Sequence, residues 1–109
     1  MKKFIINLPD RTDRLDLFHQ TNPNIDAEPF DYVFDGRNIS HDELIKKGFD
    51  TNKDWKDPIL QTHLTKGEVG CYLSHYHLWL TCLEYKEPIL ILEDDAVLTH
   101  RFSVSEIEA

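Results

Sequence analysis

Long apolar runs are missing from this sequence. No stretch approaches the roughly 18 residues of a membrane-spanning helix, so no such span is expected. Positive charge is scarce as well: 12 Lys and Arg stand against 20 Asp and Glu, for a net charge of −8. Without a basic stripe or an Arg/Lys run, a general binder of nucleic acid or anionic membrane is excluded. A phosphorylated ligand stays open, because it needs only a few local positive charges or a bridging metal. Cysteine is limited to Cys71 and Cys82. Both fall in one expected helix, roughly 16 Å apart at 1.5 Å per residue, too far for a disulfide. They read as reduced, semi-buried thiols of a reducing compartment. The opening MKKFIINLPDR has too short an apolar core for a signal peptide and no small-residue cleavage site. The expected location is cytoplasmic. Internal repeats and low-complexity tracts are also absent.

What is present is enough for one domain, residues 1–109, with an ordinary hydrophobic fraction of 40%. Lys3 to Leu8 reads as a short buried strand ended by Pro9 and Asp10, with Asp10 capping a helix from about Arg11 to Gln20. Leu15 and Phe18 point inward on that helix. Thr21 to Pro29 reads as loop, and the alternating FDYVF, Phe30 to Phe34, as a second strand stopped by Asp35-Gly36. Ser40 and Glu43 form a capping-box pattern for a short helix through Lys47, ended by Gly48. Residues 49–62 read as irregular, with Trp55 the one large anchor. Thr65 and Glu68 open a long helix over about 67–86, whose expected apolar face is Val69, Tyr72, Leu73, Tyr76, Leu80 and Leu83. Pro88 separates it from a strand at Ile89 to Leu92. The order β-α-β-α-α-β predicts an α/β fold with a mostly parallel sheet and helices on both faces. In such sheets ligands bind at the carboxyl ends of the strands. Asn7 to Arg14, Asp35-Gly36 and Glu93 to Asp95 all follow strands and should gather at one edge.

The chemistry concentrates in PILILEDDAVL, residues 88–98, where an apolar run ends in Glu93, Asp94 and Asp95. Three neighbouring carboxylates repel, and a hard divalent cation relieves the conflict; Mg²⁺ and Mn²⁺ prefer oxygen ligands and keep positions open for phosphate. Response-regulator receiver domains carry similar text on their first strand. There it opens the domain, whereas here it comes near position 90, which removes that reading.

The segments INLPDRTDR (6–14), FDGR (34–37), LTKGEVGCYLSHYHLW (64–79) and ILEDDAVL (91–98) occur in this order. Together they resemble glycosyltransferase family 25, the lipooligosaccharide and collagen sugar transferases of the GT-A fold. The resemblance runs from about Phe4 to Phe102 and covers the first half of the family's domain. It implies a donor-binding half: transfer of a hexose, galactose or glucose, from a UDP-sugar to a glycan acceptor, aided by Mn²⁺ or Mg²⁺. By that resemblance Glu93 and Asp95 are the metal positions, Asp95 first, and Asp94 contacts the sugar or ribose. The plain alternative has one acid capping the next turn and another solvated.

Asn7, Arg11 and Arg14 are further candidates for the donor site. The two arginines, one helical turn apart, either grip the nucleotide or pair with Asp10 or Asp13. Asp35 and Gly36 match the family's Asp-Gly, first of all as a turn. Ser74 and His75 match its Ser-His, either binding nucleotide, ordering the acidic loop, or satisfied by backbone. His75 and His77 point about 200° apart on a helix, so they cannot share a zinc ion. Cys71 is assigned to packing rather than nucleophilic work. A general base is expected from the family's other half, and no catalytic residue is assigned here. The rival reading is a non-catalytic module that binds a nucleotide-sugar or a partner. An open sheet edge would then serve self-association.

Overall fold

The computed structural model describes residues 1–36, 40–46 and 66–98. In chain order these form β1 (Lys2–Ile6), α1 (Thr12–Thr21), β2 (Glu28–Pro29), α2 (His41–Lys46), α3 (Lys66–Tyr85) and β3 (Ile89–Glu93). The sheet has the strand order β2-β1-β3, and both pairings are parallel. The expected α/β architecture is therefore present. Trp55, Thr65, Gly48 and Phe102, named above, lie outside the described residues. No helix among the described residues is long and apolar enough to cross a membrane.

Sheet and helices interlock through strand alternation. A parallel strand covered on both faces needs apolar residues at successive positions rather than alternate ones. In β1, Phe4 and Ile6 face one side, where Phe4 packs with Phe30 and Leu78 of α3. Ile5 faces the other side and packs with Phe18 of α1. The same division runs along β3: Ile89 and Ile91 join the α3 side, and Leu90 and Leu92 join the α1 side. Leu15 and Phe18 are the inward residues of α1, as the sequence predicts.

The second strand differs from expectation. It lies at Glu28–Pro29, and the chain leaves the sheet after Phe30, whose N–H bonds the Ile5 carbonyl at 3.0 Å. Proline lacks a donor, which suits an edge strand. Phe30 inserts edge-on against Phe4, ring centroids 5.6 Å apart. Tyr32 then projects into solvent. The alternation in FDYVF thus reflects a chain that anchors Phe30 and then crosses toward α3, rather than a ladder.

Two smaller corrections concern helices. The N-cap of α1 is Arg11, with no side-chain cap bond, so Asp10 is not the cap. The buried line of α3 is Val69, Leu73, Ser74 and Leu78, while Leu80 and Leu83 are exposed, Leu83 at 72%. Val69 and Leu73 of the expected face are buried, and the buried arc continues from them to Ser74 and Leu78 rather than to Leu80 and Leu83, because apolar residues repeat at helical spacing on more than one side of α3. At its end Lys86 takes φ 54°, the left-handed conformation that closes a helix, and Pro88 prevents continuation. The Ser40 cap does form: the Glu43 N–H donates to Ser40 Oγ at 3.1 Å.

Candidate functional site: an acidic turn between two helices

All three acids sit where β3 runs out at the carboxyl edge of the sheet. The Asp94 N–H still donates to the Ile6 carbonyl at 3.2 Å, and the Ala96 N–H closes a turn onto the Glu93 carbonyl at 3.0 Å. This turn aims the three side chains differently. Asp94 points inward, with 12% of its side chain exposed, and Arg14 meets its Oδ1 at 2.7 Å. Its Oδ2 accepts a hydrogen bond from the Asn7 amide at 3.0 Å. Both Asp94 oxygens are therefore engaged by the protein, through charge-assisted bonds of the stronger kind. Asp95 is 69% exposed and touches Arg14 only at 3.9 Å.

Asn7 is buried at the end of β1, and its amide also donates to the Arg11 carbonyl at 3.0 Å. It ties the strand end, the entry to α1 and the acidic turn together. Asn22, assigned to loop by its sequence, does the same from the other end of α1. Its amide donates to the Phe18 and Ala96 carbonyls at 3.0 and 2.9 Å, and its oxygen accepts from the Leu98 N–H at 2.8 Å. No local pattern announces that role, since two of its partners lie more than seventy residues away.

The two arginines part company. Arg11 forms a two-pronged pair with Asp13, both contacts 3.0 Å, at an exposed position. That pair raises the Arg11 pKa and lowers that of Asp13, in each case chiefly through the hydrogen bond between them. Arg14 instead turns to the acids. The salt-bridge alternative thus holds for Arg11 with Asp13, and Arg14 takes a partner that the sequence reading did not name.

The other wall comes from α3 and the segment Val33 to Gly36. Gly70 lets them touch: a Cβ there would lie 2.7 Å from the Gly36 nitrogen and 2.8 Å from the Phe34 oxygen. Such distances are not compatible with any side chain unless the backbone moves. Ser74, fully buried, donates to the Gly70 carbonyl and accepts from the Phe34 N–H, both at 2.9 Å. Its hydroxyl thus holds the backbone of the loop. Phe34 packs in turn on His77, ring centroids 4.8 Å apart, so His77 has a packing role away from His75.

Cys71 and His75, one turn apart on α3, face Glu93. The Cys71 thiol donates to Glu93 Oε1 at 3.5 Å, and His75 Nε2 lies 3.6 Å from the same oxygen. Cys71 is exposed rather than packed or semi-buried, which corrects both expectations for it. Partial burial, followed by the bond and charge of Glu93, pushes its pKa up, so the thiol stays protonated.

Between the walls lies a cleft of about 380 Å³ lined by Arg11, Arg14, Asp35, Gly36 and Ser74 together with the three acids. Cys71 and Gly67 complete the α3 side. The fold thus brings Asn7, Arg11, Arg14, Asp35, Gly36 and Glu93 to Asp95 to one edge, as expected, and α3 adds Ser74 and His75 beside them.

The same stretch is shared with known proteins. The family described as Glycosyltransferase family 25 (LPS biosynthesis protein) matches residues 1–107. A Glycosyltransferase 25 family member from Drosophila melanogaster is 37% identical over 97 residues, covering 84% of this chain and 15% of that protein. Procollagen galactosyltransferase 2 from Homo sapiens is 33% identical over 102 residues, 91% of this chain and 16% of that protein. Procollagen galactosyltransferase 1-A from Xenopus laevis is 35% identical over 95 residues, 84% and 15% respectively. This chain therefore spans only a small fraction, 15% or 16%, of the curated relatives it matches. No solved structure matches it. The match over nearly the whole sequence, with the acidic turn and the Gly70 helix inside it, settles the assignment: the chain belongs to glycosyltransferase family 25.

Proposed function

We propose that residues 1–109 are the donor-binding part of a glycosyltransferase, which seats a UDP-hexose for transfer of galactose or glucose to a glycan acceptor. One observation carries this reading: the acidic turn is held from behind, so that one acid is fixed and two are presented. Arg14 and Asn7 fix Asp94. Glu93 and Asp95 keep more than half of their side-chain surface exposed, 53% and 69%, and both line the cleft.

Exposed carboxylate oxygens at a strand end suit a hard cation, so Glu93 and Asp95 are the residues to hold Mg²⁺ or Mn²⁺. Bound there, such an ion supplies positive charge to a departing diphosphate. Arg14 neutralises Asp94, which lets three acids share one turn without all three facing the ligand. Asn7 and Asn22 fix the turn at its two ends. Gly36 brings main chain, not side chain, to the cleft wall, which leaves room for a ligand.

Isothermal titration of UDP and UDP-sugars, with and without Mn²⁺, tests the reading. Metal-dependent UDP binding is expected, and Asp95→Asn should abolish the metal dependence. Metal-independent binding, or none, would remove the donor site. Binding accompanied by hexose transfer would assign catalysis to this stretch; binding alone would restrict it to holding the donor.

A further inference from the structure

The donor reading uses Glu93 and Asp95 and leaves two metal-ligating side chains beside Glu93, Cys71 and His75, without a role. Cys71 Sγ, one His75 ring nitrogen and one Glu93 carboxylate oxygen all lie within 4.8 Å of one another. Cys71 and His75 are four residues apart on α3, which places both on one helix face. Glu93 reaches them from the end of β3, so two rigid elements supply the set.

We propose that Cys71, His75 and Glu93 form a second metal site, selective for a borderline-soft ion such as Zn²⁺ rather than for Mg²⁺ or Mn²⁺. The distances support it. Zinc bonds of about 2.3 Å to sulfur and about 2.0–2.2 Å to nitrogen or oxygen put tetrahedral donor atoms roughly 3.4–3.6 Å apart. Two of the three separations here are 3.5 Å, Sγ to Oε1, and 3.6 Å, Nε2 to Oε1. Only the remaining pair has to close, by about 1.2 Å at most on the same bond lengths. Three protein ligands leave one tetrahedral position open, the pattern of a site that also takes an exogenous ligand. One sulfur, one nitrogen and one oxygen donor favour zinc over the hard ions, which want oxygen alone.

The site goes beyond the donor reading and shares Glu93 with it; its other two ligands come from α3 rather than from the acidic turn. Zinc must replace the thiol proton that Glu93 now accepts in a hydrogen bond. Binding therefore releases a proton and strengthens as pH rises. Through Glu93, Zn²⁺ also competes with the Mn²⁺ seat.

Co²⁺ is the probe, because it reports its own ligands in absorption. Titrated into the full reduced chain, it should give a thiolate-to-cobalt charge-transfer band with one equivalent bound, and Zn²⁺ should displace it. Cys71→Ser should abolish the band and Cys82→Ser should leave it. His75→Ala should weaken cobalt binding by more than about tenfold, a loss that even outer-shell changes reach. Asp95→Asn should keep the band while losing Mn²⁺-dependent UDP binding, so the two readings fail separately. No charge-transfer band at saturating Co²⁺, a band that survives Cys71→Ser, or one that Asp95→Asn removes would overturn the site. Should Cys71→Ser not fold by circular dichroism, alkylation of the unaltered chain decides. One equivalent of Zn²⁺ must slow the reaction of Cys71 and spare that of Cys82; equal rates with and without Zn²⁺ reject the proposal.

Discussion

The two walls of the cleft are built on different physics. On the α1 side, long-range polar contacts hold the acidic turn: Arg14 to Asp94, Asn7 to Asp94, and Asn22 to Ala96 and Leu98. On the α3 side the backbone itself makes the contact, across Gly70, with Ser74 locking the loop by its hydroxyl. The first wall spends its polar groups on positioning. The second needs none of its exposed side chains for that purpose, and Cys71 and His75 stay turned toward Glu93. A close helix-to-loop approach without side chains thus leaves donor atoms at the cleft, whereas a wall built from side chains consumes them.

Gly70→Ala attacks the backbone wall and should have the largest effect. The methyl must displace the Gly36 and Phe34 main chain, an overpacking cost of about 1–3 kcal/mol or more, read from urea unfolding. The Phe34 N–H to Ser74 bond should go with it, visible as faster exchange of that amide. An unchanged midpoint would mean that the loop yields freely and that the wall is not built on this contact.

Asn22→Ala attacks the polar wall and ranks next. It takes the side-chain partner from the half-buried Ala96 carbonyl and the Leu98 N–H, while the Phe18 carbonyl keeps the Asn22 backbone N–H, for about 1–3 kcal/mol. The loss should appear in denaturant melts and in weaker Mn²⁺-dependent UDP binding, because the exit of the acidic turn is released. Asn22→Asp keeps the acceptor but not the donors, and should recover only the Leu98 contact.

Arg14→Met should cost less, under about 1 kcal/mol, since the guanidinium is 39% exposed and solvent screens the pair. A double-mutant cycle sharpens the point. Arg14 should couple to Asp94, and its coupling to Asp95 should be indistinguishable from zero. Equal coupling to both would mean that the turn does not sort its acids.

The smallest effect is one of pH on the α3 side. Cys71 is held above its ordinary pKa first by partial burial and then by Glu93, so its alkylation should need a higher pH than that of a free thiol. Glu93→Gln removes the negative charge and should shift the alkylation profile to lower pH, by part of the displacement and not all of it. A shift in the other direction would show that Glu93 is not the neighbour that holds the proton.

Much of this was legible in the sequence, because parallel strands buried on both faces need unbroken apolar runs. KFII and ILIL have them, and the order of elements then brings Asn7, Asp35 and the acids to one edge. The second strand was not legible. FDYVF has strand-like alternation, but its Phe30 is a core plug and its Tyr32 is solvated, a pattern that a one-residue anchor produces as readily as a ladder. The face of α3 was misjudged for a related reason. Aromatic and leucine residues repeat at helical spacing on more than one side of α3, so periodicity alone could not select which side meets the sheet.

By itself the sequence determined the fold class, the edge where the site forms and the family, since these follow from local apolar runs, their order and segments that stay together along the chain. Only the tertiary structure decided what each acid does. Glu93, Asp94 and Asp95 carry the same charge and stand side by side, and nothing local distinguishes them. Their roles are set by partners from elsewhere: Arg14 and Asn7 draw Asp94 inward, Cys71 and His75 meet Glu93, and Asp95 faces the open cleft. Electrostatic roles depend on distance in space, and residues 7, 14, 71 and 75 come near the turn only after the chain has folded.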